Sequence, residues 1–137
     1  MRQAPPRQNV EIVRRAYEHF RETGEVGTEF THPDFVWDMS NYTGWPEQQI
    51  YPGVDGANRF ISEWRDAWDD WEWEVKSLHE GGDKVVAILH QAGCSKSTGI
   101  RVEMDFAQLF TLEGGRQVRM QMYADPQEAL AAAGLTR

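Results

Sequence analysis

Four polar side chains stand where the surrounding pattern calls for apolar ones. Gln108 is flanked two residues away on either side by Phe106 and Phe110, and His90 shares a strand face with Val86 and Ile88. Tyr17 falls on the apolar stripe of an N-terminal helix, and Asp38 closes a short strand beside an aromatic loop. Burying such a group unpaired costs about 1–3 kcal/mol, so each needs a structural or a chemical reason. An imidazole titrates near neutrality and serves as acid or base, which suits proton abstraction next to a carbonyl. A glutamine amide donates a hydrogen bond without any shifted pKa. Each group also has a structural reading, as a satisfied core residue or an amide tying strands together. Asp38 stays open: strict alternation turns Phe35, Trp37 and Met39 inward and Asp38 outward, but a one-residue slip inverts every side chain.

The elements that carry these groups follow from periodicity. Val10, Val13, Tyr17 and Phe20 predict a helix over 9–23, capped by Asn9 and ended by Gly24. A short helical or irregular piece to Phe30 and a turn at His32-Pro33-Asp34 lead into a strand over 35–39. Residues 40–56, with Gly44, Pro46, Pro52 and Gly53, read as a long loop whose Tyr42, Trp45, Ile50 and Tyr51 call for cover. Phe60, Trp64, Trp68 and Trp71 predict a second helix over 56–70 with Asp55 as N-cap. Strands follow at Trp71, Trp73 and Val75, over 84–92 and over 100–112, and at Val118, Met120, Met122 and Ala124. Asp125-Pro126 opens a terminal helix with Glu128 completing a capping box, and Gly134 stops it. Helices first and hairpin-linked strands last indicate an α+β fold with an antiparallel sheet.

The chain of 137 residues suits one domain, 9–137, behind a short flexible tail, 1–8. With 22 acidic against 14 basic residues and a net charge of −8, nucleic acid and anionic membranes are poor partners. The opening residues lack an apolar signal core, no run is long enough to span a membrane, and Cys94 is a lone thiol; these point to the cytoplasm. A single cysteine also excludes an internal disulfide. His19, His32, His79 and His90 lie on separate elements without ligand spacing, so no metal is expected.

Several segments together resemble the SnoaL-like branch of the nuclear-transport-factor-2-like superfamily. They are Val13-Arg14-Arg15-Ala16-Tyr17 through Gly24, His32-Pro33-Asp34-Phe35-Val36-Trp37, and Tyr51-Pro52-Gly53-Val54-Asp55-Gly56. Thr98-Gly99, Glu113 through Val118, Tyr123-Ala124-Asp125 and Glu128-Ala129-Leu130 through Leu135 complete the set. The resemblance implies a cone-shaped α+β barrel, a curved sheet wrapped on helices with one open-ended pocket, and a homodimer. The family includes ketosteroid isomerases, limonene-epoxide hydrolases, polyketide cyclases, dehydratases and binding proteins, so fold alone does not settle activity. By resemblance Tyr17 matches the oxyanion-binding tyrosine of the isomerases and Gln108 falls near the protonated aspartate beside it. A gapless match makes Asp38 their general base, and His90 falls near the arginine of the epoxide hydrolases. Ala92 and Met120 or Met122 replace the acids those hydrolases need, which argues against epoxide hydrolysis.

The expected function is a cofactor-free isomerase, cyclase or dehydratase acting on a hydrophobic polycyclic or terpenoid-like carbonyl compound. Asp38 or His90 is the candidate base, with Tyr17 and Gln108 stabilising the oxyanion. Trp37, Trp45, Tyr51, Phe60, Trp64, Trp68, Phe106, Met120 and Met122 are the candidate substrate-binding residues, since planar apolar ligands suit walls of rings. The alternative is a non-catalytic ligand-binding or accessory protein, whose pocket would be almost wholly apolar.

Overall fold

Val10, Val13, Tyr17 and Phe20 form the inward stripe of a first helix, Pro6–Thr23 (α1). The structure is a computed structural model that describes residues 6–42 and 49–135. Helix α1 starts at Pro6 rather than Asn9, because proline suits a first turn whose N–H groups have no helical partner anyway. Asn9 is therefore not a cap; its Nδ2 donates to the Gly82 carbonyl at 3.4 Å and ties α1 to a strand turn. Gly24 ends the helix with φ +79°, and its N–H returns to the Phe20 carbonyl at 2.7 Å. No second helix follows before Phe30; Asn58 Oδ1 holds that stretch by accepting from the Val26 N–H at 2.7 Å.

Among the described residues six strands form one sheet: Thr31–Asp38 (β1), Ile50–Pro52 (β2), Trp68–Gly81 (β3), Lys84–Ser95 (β4), Arg101–Glu113 (β5) and Arg116–Tyr123 (β6). Their order is β2-β1-β6-β5-β4-β3, and the sheet curves without closing. Strands β3 to β6 make the expected antiparallel meander. The sheet is not wholly antiparallel, however. The meander leaves one edge of β6 unpaired, and β1 fills it running parallel. His32-Pro33-Asp34 belongs to β1, and the pairing with β6 is irregular between Thr31 and Val36, where proline cannot donate to a ladder.

The stretch expected to be one long loop contains β2, and helix Gly53–Asp66 (α2) begins directly after it. Pro52 occupies the N-cap position, and Asp55 stands in the first turn, where its charge favours the helix dipole. The helix ends at Asp66, so Trp68 and Trp71 do not continue its stripe. Both lie on β3, entered through Asp70 at φ +54° and an irregular register between Asp69 and Glu72. Helix Pro126–Ala132 (α3) starts as expected, with Asp125 accepting from the Gln127 N–H at 2.9 Å.

The concave face of the sheet packs on α1 and α2 around one large apolar cluster that includes Val13, Phe35, Trp37, Phe60, Leu89, Phe106 and Phe110. A smaller cluster lies on the convex face, where α3 covers Val86, Ala107, Leu109 and Tyr123 through Ala129. One end of the sheet is thus dry on both sides. Among the described residues, no helix is long and apolar enough to cross a membrane.

Candidate functional site

Between the concave face and the two long helices lies a partly open cavity of about 90 Å³. Val13, Ala16, Tyr17 and Phe20 of α1 form one wall and Phe60, Ile61 and Trp64 of α2 another. The strands supply Phe35, Trp37, Trp71, Trp73, Leu89, Phe106, Phe110 and Met122. The rings brace one another: Trp37 on Phe60 at 4.9 Å, Phe60 on Trp64 at 5.7 Å, and Phe20 on Trp73 at 5.3 Å between centroids.

Five polar side chains reach these walls: Tyr17, Tyr42, Gln91, Gln108 and Gln117. Helix α1 and strand β5 bring Tyr17 and Gln108 together, and the tyrosine hydroxyl donates to Gln108 Oε1. The phenol sits edge-on to Phe110 at 5.8 Å, and burial pushes its pKa well up, so it remains a neutral donor. With its oxygen engaged, Gln108 turns Nε2 toward the weak acceptor Met122 Sδ at 3.8 Å. On β4, Gln91 Oε1 accepts from Trp71 Nε1 at 2.9 Å, and indole N–H is donor only, so the amide orientation follows. Tyr42 donates to Met104 Sδ at 3.3 Å; burial raises its pKa, against the opposing influence of the Gln91 amide. No carboxylate, imidazole, amine or guanidinium lines the cavity among the described residues.

Both candidate bases lie on the convex face. Met39 is buried in the main core cluster, whereas Asp38 points to the other side of β1, so strict alternation holds and the gapless match to the isomerase base does not. Asp38 is 2% exposed and accepts from the Ser40 hydroxyl at 2.6 Å, from the Ser40 N–H at 2.8 Å and from Arg119. Burial works against its ionisation, but the Ser40 hydrogen bonds and the Arg119 guanidinium together hold the carboxyl below its usual range. His90 faces outward with Val86 and Ile88, away from the cavity. Its Nδ1 meets Asp105 Oδ1 at 2.7 Å and its Nε2 meets Glu103 Oε1 at 3.1 Å. Hydrogen bonds to Asp105 and then Glu103 raise its pKa.

With this fold and cavity in place, the amino-acid sequence matches one family model, SnoaL-like domain, over residues 13–120. The chain belongs to that family. The SnoaL-like fold recurs at low identity in solved structures, whose likeness concerns the fold alone. A presumed SnoaL-like polyketide cyclase of Jannaschia sp. CCS1 is 22% identical, with TM-score 0.71, 100% of this chain and 99% of that one covered. A nuclear-transport-factor-2-like protein of Burkholderia thailandensis E264 is 23% identical, with TM-score 0.74 and 98% of each chain covered. TerC, crystallised with polyporic acid, is 21% identical, with TM-score 0.70, 92% of this chain and 97% of that one covered. No protein of curated function matches the sequence.

Within this SnoaL-like cavity Trp37, Phe60, Trp64, Phe106 and Met122 line the walls. Three other candidates do not. Tyr51 is buried behind Phe60, its ring 5.3 Å away and its hydroxyl donating to Glu63 at 3.1 Å. Trp68 backs Trp64 at 5.6 Å, because the helix stops before reaching it. Met120 is buried in the core beside the cavity rather than in its wall. Trp45 falls outside the described residues. Gln91 and Gln117 were missed for separate reasons. On β4 the near-continuous apolar run hides the phase, since α3 dries the convex side that carries His90. The available signal was the opposite strand, where Trp73 pairs with Gln91 and is plainly inward. Gln117 is out of phase with Met120 because Val118 is an extra residue: Leu112 pairs with Gln117 but Thr111 with Arg119.

Proposed function

We propose that this SnoaL-like chain binds a small, uncharged, mainly apolar molecule that carries an acceptor oxygen. The observation behind this is the cavity itself, ringed by aromatic walls and furnished only with neutral polar groups among the described residues. A charged ligand would lose its hydration there without a counter-ion. The relative TerC, with its polyporic acid, supports a small-molecule ligand for the fold. A rigid apolar cavity of about 150 Å³ takes benzene. At about 90 Å³ the cavity therefore suits a single ring or short terpenoid that shifts wall side chains, better than a fused polycycle.

The polar anchor is Gln108, whose Nε2 donates to the ligand oxygen while Tyr17 fixes the amide from the other side. A second reading, as isomerase, cyclase or dehydratase, draws on the same pair. Two neutral groups in series can polarise a carbonyl without any charged residue. The proton acceptor then has to be water or the ligand itself, because Asp38 and His90 face away.

Cyclohexanone is a probe that separates the two. Tryptophan fluorescence reads binding, and deuterium exchange next to the carbonyl in D2O, followed by NMR, reads chemistry. Binding that weakens about tenfold in Gln108→Leu, the worth of one hydrogen bond, supports the anchor. Protein-dependent exchange selects the catalytic reading, and its absence selects the carrier. No binding of cyclohexanone or of methylcyclohexane would overturn the ligand-cavity reading.

A further inference from the structure

Gln117 opens the inner face of β6, 3% exposed, with its backbone N–H donating to the Phe30 carbonyl at 2.8 Å. Its Nε2 donates to Thr31 Oγ1 at 3.4 Å. The other half of the amide is unmatched: Oε1 is buried and meets no hydrogen-bond donor among the described residues. Yet the side chain lines the cavity. A bare amide oxygen in a dry wall costs about 1–3 kcal/mol, and a leucine or methionine there would avoid that cost. A site that keeps the glutamine is one where something else supplies the donor.

We propose that Gln117 is a ligand-binding residue whose Oε1 accepts a hydrogen bond from a hydroxyl group of the molecule in the cavity. The inference rests on the reading of the cavity as a ligand site and narrows it from acceptor-bearing compounds to hydroxylated ones. An ammonium donor fits poorly, since one neutral oxygen cannot replace its hydration within apolar walls. An alcohol or phenol loses far less on entry and has one proton to give. Gln108 and Gln117 are then complementary: the first offers N–H to a ligand oxygen, the second takes O–H from it. The register sets them apart along the sheet, Gln108 level with Met122 and Gln117 level with Leu112, so they address separate parts of a ligand.

Phenol, anisole and toluene test this by titration of tryptophan fluorescence, Trp37, Trp64, Trp71 and Trp73 all standing in the cavity wall. Phenol is the most soluble of the three in water, so burial alone ranks it last. The expected result is phenol at least about tenfold tighter than anisole, and a fall to the anisole level in Gln117→Met or Gln117→Leu. Anisole and toluene should change less than about threefold in those variants, well under one hydrogen bond. Equal affinity of phenol and anisole, or a phenol preference that survives in the variants, would overturn the assignment. An advantage of anisole over toluene that disappears in Gln117→Leu would mean that this amide, rather than Gln108, presents its N–H to the ligand, which also overturns the assignment. If none of the three binds the unaltered protein, the ligand-cavity reading itself fails. Should both variants fail to fold, magnetisation transfer from bound phenol to Gln117 and Thr31 in the unaltered protein decides, its absence counting against the proposal.

Discussion

A hydroxyl in a dry wall settles how its neighbour is used. Because Tyr17 gives its proton to Gln108 Oε1, the amide orientation is fixed with Nε2 left to donate, and the cavity gains a donor that no pH change removes. Tyr17→Phe takes that lock away and leaves Oε1 unpaired. The expected loss is about 1–2 kcal/mol in urea denaturation, with weaker cyclohexanone binding and unchanged affinity for methylcyclohexane. Asp38 has the opposite design, a buried charge surrounded by donors and serving the architecture. Asp38→Ala strips partners from Arg119 and Ser40, so about 1–3 kcal/mol of stability should go while ligand binding stays. Its folded pKa is lowered, so the carboxylate stabilises above the ordinary value near 3.9 and ceases to as pH falls through the lowered one. The gap between the parent protein and Asp38→Asn should therefore narrow on acidification from pH 7 toward pH 3, followed by denaturation midpoints.

At the level of elements, closeness of approach explains what spacing could not. An added Cβ on Gly56 would meet the backbone carbon of Tyr51 at 2.8 Å, so α2 lies tight on β2 and neither backbone can yield. Gly56→Ala should destabilise by about 1–3 kcal/mol. Gly27→Ala should cost less, although a Cβ there comes within 2.7 Å of the His19 ring, because that ring can swing aside. Thermal unfolding of the pair gives the comparison. Most of the elements were legible in the sequence: the α1 stripe ended by Gly24, the β5 alternation that sets Gln108 between Phe106 and Phe110, and the Asp125 cap of α3. Among the features that were not, three bear on the site. The parallel β1–β6 pair depends on which strand fills a free edge, the phase of β4 depends on α3 covering the far side, and Gln117 depends on a one-residue bulge. All three are relations between distant segments. That is why local pattern turns Tyr17 and Gln108 inward, with their pairing implied only by the family resemblance, while it leaves the face of His90 unsettled.

Across the whole molecule neutral chemistry gathers in the cavity and charge on the convex face of the sheet. The cavity wall holds rings and amides, and the convex side gathers titratable groups of β3, β4 and β5. His90 stands between Asp105 and Glu103, pairs in register with Glu74, and shares Asp105 with Lys76 at 3.0 Å. With an acceptor at each ring nitrogen, the imidazole satisfies both only when doubly protonated. Its raised pKa means that the folded state holds a proton the unfolded chain releases earlier. The resulting stabilisation is complete below the unfolded histidine value, about 6.5, and disappears as pH rises through the raised folded value. Acid sets the other limit, since Asp105, whose pKa is lowered first by His90 and then by Lys76, must remain ionised. Denaturant midpoints of the parent and of His90→Gln should therefore differ most near pH 5.5, converge by about pH 9, and converge again as the carboxylates protonate. A difference that grew with pH would mean that His90 is held neutral. Raised salt should shrink the gap, because these groups are exposed and screened. Ligand affinity should be flat over the same range, the cavity having no group among the described residues that titrates there.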